Sequence, residues 1–454
     1  MRHVETRGYS NGKNFKKIIQ IKANKSVFPI SISIEELYSK FVQFPIICTD
    51  TRKIVPNSLF FCLKGEKFDG NLFVNEALKK GAKYVITEKN IQKTLFSKSN
   101  LSSEILVVDD VLQTLQQLAL YHRKQLKIPI IGITGTNGKT TTKELMASVL
   151  SKKYKTAFTQ GNLNNHIGVP LTILSIKNDD EIAIVEMGAN HPGEIAELCQ
   201  IAQPQYGLIT NIGKAHLEGF GTIENIIETK TALYRAAQTL FVNNGEWKME
   251  NGEWKIVYYG KNTEISAEIV EMNPFLVIDL FSKKVQTQLT GNYNLSNILG
   301  AAAVGRYFNV SNDDICNAIA EYTPQNNRSQ IIKKESNTII ADYYNANPTS
   351  MKAALENLLQ IEAQNRLAIL GDMLELGENS VSEHQAVIDF CKENNVETFF
   401  IGTHFYHLKN DSFKFFMNVE DCNNYLNNKK IENTFMLIKG SRGIALEHIN
   451  LCEI

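Results

Sequence analysis

Residues 131–142, Ile-Gly-Ile-Thr-Gly-Thr-Asn-Gly-Lys-Thr-Thr-Thr, carry the strongest chemical signal in the chain. An apolar strand runs into a glycine loop that ends in Gly138-Lys139-Thr140, and a helical run from Glu144 to Leu150 follows. Backbone N–H groups at such a loop can surround an anion. A lysine adds positive charge for β- and γ-phosphates, and a threonine hydroxyl can hold Mg²⁺. The pattern is a shortened phosphate loop, Gly135-Thr136-Asn137-Gly138-Lys139-Thr140-Thr141, because Ile133 stands where the full form has its first glycine. A plain surface turn before a helix would not need strand, glycines, Lys-Thr and helix in this order.

Other residues with usable chemistry follow apolar strands. Glu186 comes directly after Ile182–Val185, where a carboxylate can hold a metal on the γ-phosphate or simply cap the strand. His216 lies just past the next strand and is either a packing residue or, beside Thr140 and Glu186, a ligand of a second ion. The run Asn162-Leu-Asn164-Asn165-His166-Ile-Gly-Val-Pro170 clusters amides with glycine and proline, which suits a substrate loop or a turn. Asp342-Tyr-Tyr-Asn345-Ala-Asn347-Pro348 has the same composition, and Pro348-Thr349 starts a helix. Gly440-Ser-Arg442, after a strand ending at Lys439, can grip an anion or form a solvated turn.

The elements that must position these groups fall into three alternating blocks. The first has strands at 58–63, 83–87 and 105–108 with helices near 72–81 and 111–126. The second has strands at 128–133, 182–187 and 207–212, and short apolar strands separated by helices imply a parallel sheet covered on both faces. The third has strands at 338–342, 367–371, 398–401 and 435–439 with helices at 349–360 and 381–394; no G-x-G-x-x-G opens it, so no dinucleotide is expected there. The expected division is a disordered extension over 1–26, or a start codon placed too early, then domains at 27–127, 128–324 and 325–454. A basic targeting arm is the other reading of residues 1–26. Gly-Glu-Trp-Lys occurs at 245–248 and again at 252–255, as a hairpin or local duplication.

Composition narrows the function class. With 454 residues the chain exceeds one ordinary core, and 48 Lys plus Arg against 48 Asp plus Glu removes the electrostatic case for nucleic-acid binding. The 7 cysteines show no C-x-x-C spacing, which fits reduced, inert core thiols in a cytosol. No apolar run reaches a bilayer-spanning length, so no membrane insertion and a cytoplasmic location are expected. Small-molecule partners and a monomer are the corresponding expectation.

Taken together, several motifs make the chain resemble the Mur ligase family of peptidoglycan synthesis. They are Thr134-Gly-Thr-Asn-Gly-Lys-Thr-Thr141, Gly161-Asn-Leu-Asn-Asn-His-Ile-Gly-Val-Pro170, Glu186-Met-Gly-Ala-Asn190, Ala215-His-Leu-Glu-Gly-Phe-Gly221, Gly291-Asn-Tyr-Asn-Leu-Ser-Asn297, Asp342 to Pro348, Gly371-Asp-Met-Leu-Glu-Leu-Gly377 and Lys439-Gly-Ser-Arg-Gly443. The resemblance implies a three-domain α/β architecture with a central phosphate-loop parallel-sheet domain and a C-terminal Rossmann-like domain. It also implies an ATP-dependent amide ligase working through an acyl phosphate. Asn-Ala-Asn-Pro and Gly-Asp-Met-Leu-Glu-Leu-Gly point within the family to the member joining D-alanyl-D-alanine to UDP-N-acetylmuramoyl-tripeptide; the member adding the third amino acid and the folylpolyglutamate synthetases are the nearest alternatives. By resemblance Lys139 and Arg328 meet the phosphates, Thr140 and Glu186 a first Mg²⁺, His216 a second, Asn297 the adenine and Asp342 the ribose. Lys230 stands where the family carries a carbamylated lysine, although Lys-Thr-Ala here replaces the usual Lys-Gly-Glu. After Phe241-Val-Asn243, an aspartate usual in the family is missing. Asp50-Thr51-Arg52 resembles part of the UDP-sugar domain, and Lys439 and Arg442 are candidates for the dipeptide carboxylate. A GTPase would carry an Asn-Lys-x-Asp guanine reader, which is absent from the chain.

Overall fold

The computed structural model describes residues 32–66, 68–88, 104–244, 253–427 and 429–450. The 1–26 segment, most of the Gly-Glu-Trp-Lys pair and Cys452 lie outside the described residues. Each of the three blocks forms its own sheet. In the first, Ile47–Cys48, Leu59–Phe61, Tyr84–Glu88 and Ile105–Val108 pair in that order, all parallel. The central sheet runs Lys255–Tyr259, Thr239–Asn243, Tyr206–Ile209, Ile130–Thr134, Ile182–Glu186, Thr156–Phe158, also parallel throughout. In it, Ile130–Thr134 and Ile182–Glu186 are buried along their whole length, as strands covered on both faces must be. The third sheet runs Gln330–Lys334, Asn337–Asp342, Thr434–Lys439, Asn365–Gly371, Glu397–Ile401, Lys414–Phe416, with only its first pair antiparallel. An unanticipated antiparallel sheet, Ala267–Met272, Leu276–Leu280 and Lys283–Gln286, packs beside the central domain. The three-domain α/β reading is therefore borne out.

Packing divides the molecule unevenly. The helix Val111–Gln125, capped by Asp110 accepting from Gln113 N–H, faces both the first sheet and the central domain. Its Leu115 and Leu118 belong to one apolar cluster with Phe61, Ile173, Val185 and Leu233. Buried Arg123 extends from it to the carbonyls of Ala202 and Gln203 at 2.8 and 3.0 Å, ending the helix Glu194–Ala202. The C-terminal domain instead has two clusters of its own, one on each face of its sheet. A domain with a separate core can shift as a body at modest cost, whereas the first and central domains, besides a cluster each, are joined by a shared one.

Candidate active site

A cavity of about 830 Å³ lies between the central and C-terminal domains, and the phosphate loop, Glu186, His216, Asn297, Arg328 and Asp342 all line it. The groups converge because neighbouring parallel strands end on the same side. Ile130–Thr134 delivers the loop, Ile182–Glu186 ends on the carboxylate, and Tyr206–Ile209 leads to Thr210 and Asn211.

The loop conformation is enforced by those neighbours. Thr210 Oγ1 and Asn211 Nδ2 donate to the Asn137 carbonyl at 2.6 and 3.1 Å, and Asn137 N–H donates to Asn211 Oδ1 at 3.0 Å. Gly135 has φ 149°, and a Cβ there would sit 1.9 Å from Thr210 Oγ1. Gly138, at φ 78°, is the N-cap of the helix Lys139–Leu150 and supplies no side-chain cap. The first N–H groups of this helix are therefore left for a ligand, unlike those of Pro348–Gln360, which Asn347 and Ser350 close in a capping box. Thr141 also faces the cavity.

Two lysines meet beneath the loop. Lys139 Nζ donates to the carbonyls of Gly135 and Thr136 at 2.7 and 3.0 Å. Desolvation by burial pushes its pKa down to about 8, against the raising effect of Glu186. Lys230, on the helix Ile223–Ala236, is buried and also donates to the Gly135 carbonyl, at 3.0 Å. Burial first, and the Lys139 charge second, hold its pKa well below the ordinary lysine value.

Glu186 is fully buried. Its Oε1 accepts from Thr140 Oγ1 at 3.1 Å and Asn164 Nδ2 at 2.8 Å, while Oε2 has no hydrogen-bond partner. The Lys143 ammonium stands 3.6 Å from it. An orphaned buried carboxylate oxygen beside a threonine hydroxyl fits a hard cation. No group of three or more His, Cys, Asp or Glu that could hold a metal occurs among the described residues, so an ion here would need water or phosphate oxygens as further ligands. Lys143 escaped notice in the sequence, yet its place one helical turn after Lys139, facing the same way, was a usable signal.

On the far side Asp342 accepts from Lys439 Nζ at 2.7 Å and from Ser329 N–H at 3.1 Å. The Arg328 guanidinium lies 3.7 Å from the Tyr344 ring centroid, and its Nε is buried with no partner. Asn345 caps its own loop through Ala346 N–H, and Asn347 Nδ2 donates across the domain boundary to Asn137 Oδ1 at 2.8 Å. Asn297 lines the cavity with its amide partly engaged. Its Oδ1 accepts from Thr142, its Nδ2 donates to Asn294, and a Cβ on Gly138 would meet Oδ1 at 2.3 Å, so the side chain wedges under the loop. Asn165 and His166 line the cavity, but Asn165 Oδ1 is engaged by Ile167 and Gly168 N–H as the start of the next helix.

Asp50, Thr51, Arg52, Asn162 and Arg442 are not brought to this cavity. Asn162 is exposed on the loop before it. Asp50 and Arg52 form an ion pair at 2.7 Å in the N-terminal domain, where hydrogen bonding from Arg52 holds Asp50 down to about 2; between them Thr51 offers its carbonyl to Lys80. Arg442 is exposed and faces Glu447 at 3.4 Å.

Family models covering most of the chain match it. The Mur ligase middle domain matches residues 133–305, the Mur ligase glutamate ligase domain 327–442, and the Mur ligase family catalytic domain 43–123. The chain belongs to the Mur ligase family. This Mur ligase is 33% identical over 423 residues to the UDP-N-acetylmuramoyl-tripeptide–D-alanyl-D-alanine ligase of Bacillus subtilis, spanning 89% of this chain and 92% of that protein. The same-named protein of Haemophilus influenzae is 34% identical over 78% of this chain and 80% of its own length. A MurF crystal structure from Acinetobacter baumannii superposes with TM-score 0.79 at 31% identity, covering 89% of this chain and 92% of that one. A Thermotoga maritima MurF ligase in complex with ADP gives TM-score 0.75 at 27% identity, covering 89% and 96%.

Proposed function

We propose that this Mur ligase joins D-alanyl-D-alanine to UDP-N-acetylmuramoyl-tripeptide at the expense of ATP, through an acyl phosphate, releasing ADP and phosphate. The observation that carries the reading is the uncapped start of the helix Lys139–Leu150, which lines one cavity together with Glu186, a carboxylate with one oxygen left without a hydrogen bond. Relatives bearing that activity in their names support the choice of substrates.

A carboxylate resists attack by an amine because its charge repels the nucleophile and oxide is a poor leaving group. Moving the γ-phosphoryl of ATP onto the terminal carboxylate of the tripeptide makes phosphate the leaving group. The dipeptide amine then adds to that carbonyl, and the C–O bond to phosphate breaks as the amide forms. Loop N–H groups and Lys139 offset the charge that builds on the transferring group. Mg²⁺ held by Thr140 and Glu186 would supply further charge neutralisation, with His216 serving a second ion. Arg328 faces the phosphates and Asp342 the ribose in this reading. The Asn137–Asn347 bridge lets the C-terminal domain close the cavity and keep water from the acyl phosphate. Asp50, Thr51 and Arg52 belong with the UDP end of the substrate. The domain limits proposed are 27–127, 128–324 and 325–454, acting as a cytoplasmic monomer. No helix among the described residues is long and apolar enough to cross a membrane.

The decisive assay is phosphate release from ATP with UDP-N-acetylmuramoyl-tripeptide, with and without D-alanyl-D-alanine, and with Lys139→Ala as control. Release that needs both substrates and the lysine supports the reading. Release without the dipeptide, or only with another amine, leaves the family and removes this substrate.

Lys230 is proposed to carry a carbamate. Burial favours its neutral amine, the form that attacks CO₂, and the product anion would replace a desolvated cation beside Lys139. Enzyme equilibrated with ¹³C-bicarbonate should show one carbamate carbon resonance that Lys230→Ala lacks; no such resonance in the wild type removes the modification.

A further inference from the structure

The loop 371–377 of the C-terminal domain is held with more care than a connecting turn requires. Asp372, buried after the strand Asn365–Gly371, accepts from the N–H groups of His404 and Phe405, both at 2.9 Å. The next two N–H groups are also taken: Met373 donates to buried His384 Nε2 at 3.0 Å and Leu374 to Ser441 Oγ at 2.9 Å. Glu375 follows in a left-handed conformation, φ 65°, which a non-glycine residue adopts at a cost that the surrounding bonds must offset.

The segment so presented reaches the central domain at one place. The Glu375 carbonyl accepts from Glu218 N–H at 3.3 Å, and Gly377 packs against Glu218. The Glu375 carboxylate lies against His216 Nδ1. His216 is itself left-handed, φ 51°, and its ring lines the phosphate cavity. Its Nδ1 is buried and makes no hydrogen bond of good geometry, with the Glu375 carboxylate beside it as the acceptor at hand. A carboxylate on one ring nitrogen fixes the tautomer and turns the other nitrogen, with its lone pair, toward the opposite side.

We propose that Glu375 is a positioning residue for His216, carried in by the C-terminal domain, so that Nε2 is presented to the phosphate cavity only while the two domains are together. The histidine sits on the domain that carries the phosphate loop and its orienting partner on the C-terminal domain, whose separate core lets it shift as a body, so closure would be coupled to completion of the site. The proposal rests on the reading of His216 as a ligand of the second ion.

The test is Mn²⁺ binding to the full-length ADP complex, followed by electron paramagnetic resonance, in the wild type and in His216→Ala, Glu375→Ala, Glu375→Gln and Lys214→Ala. Lys214 makes a second ion pair at the same seam, with Glu383 at 3.7 Å, and controls for general loosening. Glu375 is half-exposed, so its variants should fold. Glu375→Ala should weaken Mn²⁺ binding about tenfold, the usual loss for an outer partner of a metal-binding histidine. Glu375→Gln, whose amide oxygen still accepts from Nδ1–H, should recover most of it, and Lys214→Ala should match the wild type. If Glu375→Ala binds Mn²⁺ as the wild type does while His216→Ala does not, the positioning role is overturned and the ligand reading stands. If His216→Ala also binds normally, both fall. Equal weakening by Lys214→Ala and Glu375→Ala overturns the proposal as well, because any seam contact would then serve.

Discussion

Lys139 and Lys439 lie at the two sides of one cavity, and their surroundings differ in the charge each one meets. Lys439 ends the strand Thr434–Lys439 and is paired at 2.7 Å with Asp342 on the neighbouring strand, where the register sets the two residues side by side. Lys139 ends on two backbone carbonyls, with no ion pair to a carboxylate among the described residues. Burial depresses the Lys139 pKa despite the opposing pull of the Glu186 charge. A buried cation short of compensating charge is costly to keep in a folded protein, and in the proposed reading a nucleotide triphosphate is the anion that relieves it.

The largest expected effect of that difference is on activity. Lys139→Ala should lower phosphate release about 10³-fold, the scale on which one preorganised charge at a transferring group acts. The pH dependence has a definite sign. Below pH 8 Lys139 is protonated in the free enzyme and ATP affinity is flat; above it the cation is lost and affinity should fall in the wild type and stay flat in Lys139→Ala. Stability runs the other way. Between about 8 and 10.5 the unfolded chain binds the proton that the folded one releases, so the nucleotide-free protein gains stability as pH rises through that window. A wild-type affinity that stays level from pH 7 to 10 would remove the contrast between the two lysines.

The next effect is on folding. Lys439→Met strands Asp342 with a negative charge in a partly buried site and should cost about 3 kcal/mol in the C-terminal domain. Lys139→Met removes a desolvated cation and should leave the nucleotide-free melting temperature unchanged or raised. Urea unfolding of both variants without ligand checks the pair. Equal losses would mean that both lysines are structural.

What the sequence disclosed follows the same division. The loop, the strands at 130–134 and 182–186 and the helix after Gly138 were legible because glycine, apolar runs and Lys-Thr act on their near neighbours. Glu186 was legible for the same reason, as the residue on which an apolar run ends. The partners that fix these groups were not, since Thr210 reaches Asn137, Asn347 reaches Asn137 and Glu375 reaches His216 across long stretches of chain. Family resemblance supplied the adenine role for Asn297, but the packing of its Oδ1 against Gly138 is a contact that no local pattern encodes. Nor did composition reveal that Val111–Gln125 shares a core with the central domain, because an amphipathic helix reads alike whichever domain covers it.

Arg442 sharpens the comparison at its weakest end. It follows Lys439 by three residues and was an equal candidate for the dipeptide carboxylate, yet the short helical turn Arg442–Ile444 turns it to solvent, with 61% of its side chain exposed. Its partner Glu447 stands at 3.4 Å, and an exposed pair of that kind contributes about 0–1 kcal/mol. Arg442→Ala should therefore change the KM for D-alanyl-D-alanine by no more than about twofold and leave kcat alone, since a charge so screened gains little from a bound anion. A rise in that KM of tenfold or more, with the KM for ATP unchanged, would mean that the turn refolds over the dipeptide. The division between a cation held for ligand and a cation held for structure would then have a third case, in which substrate itself recruits the charge.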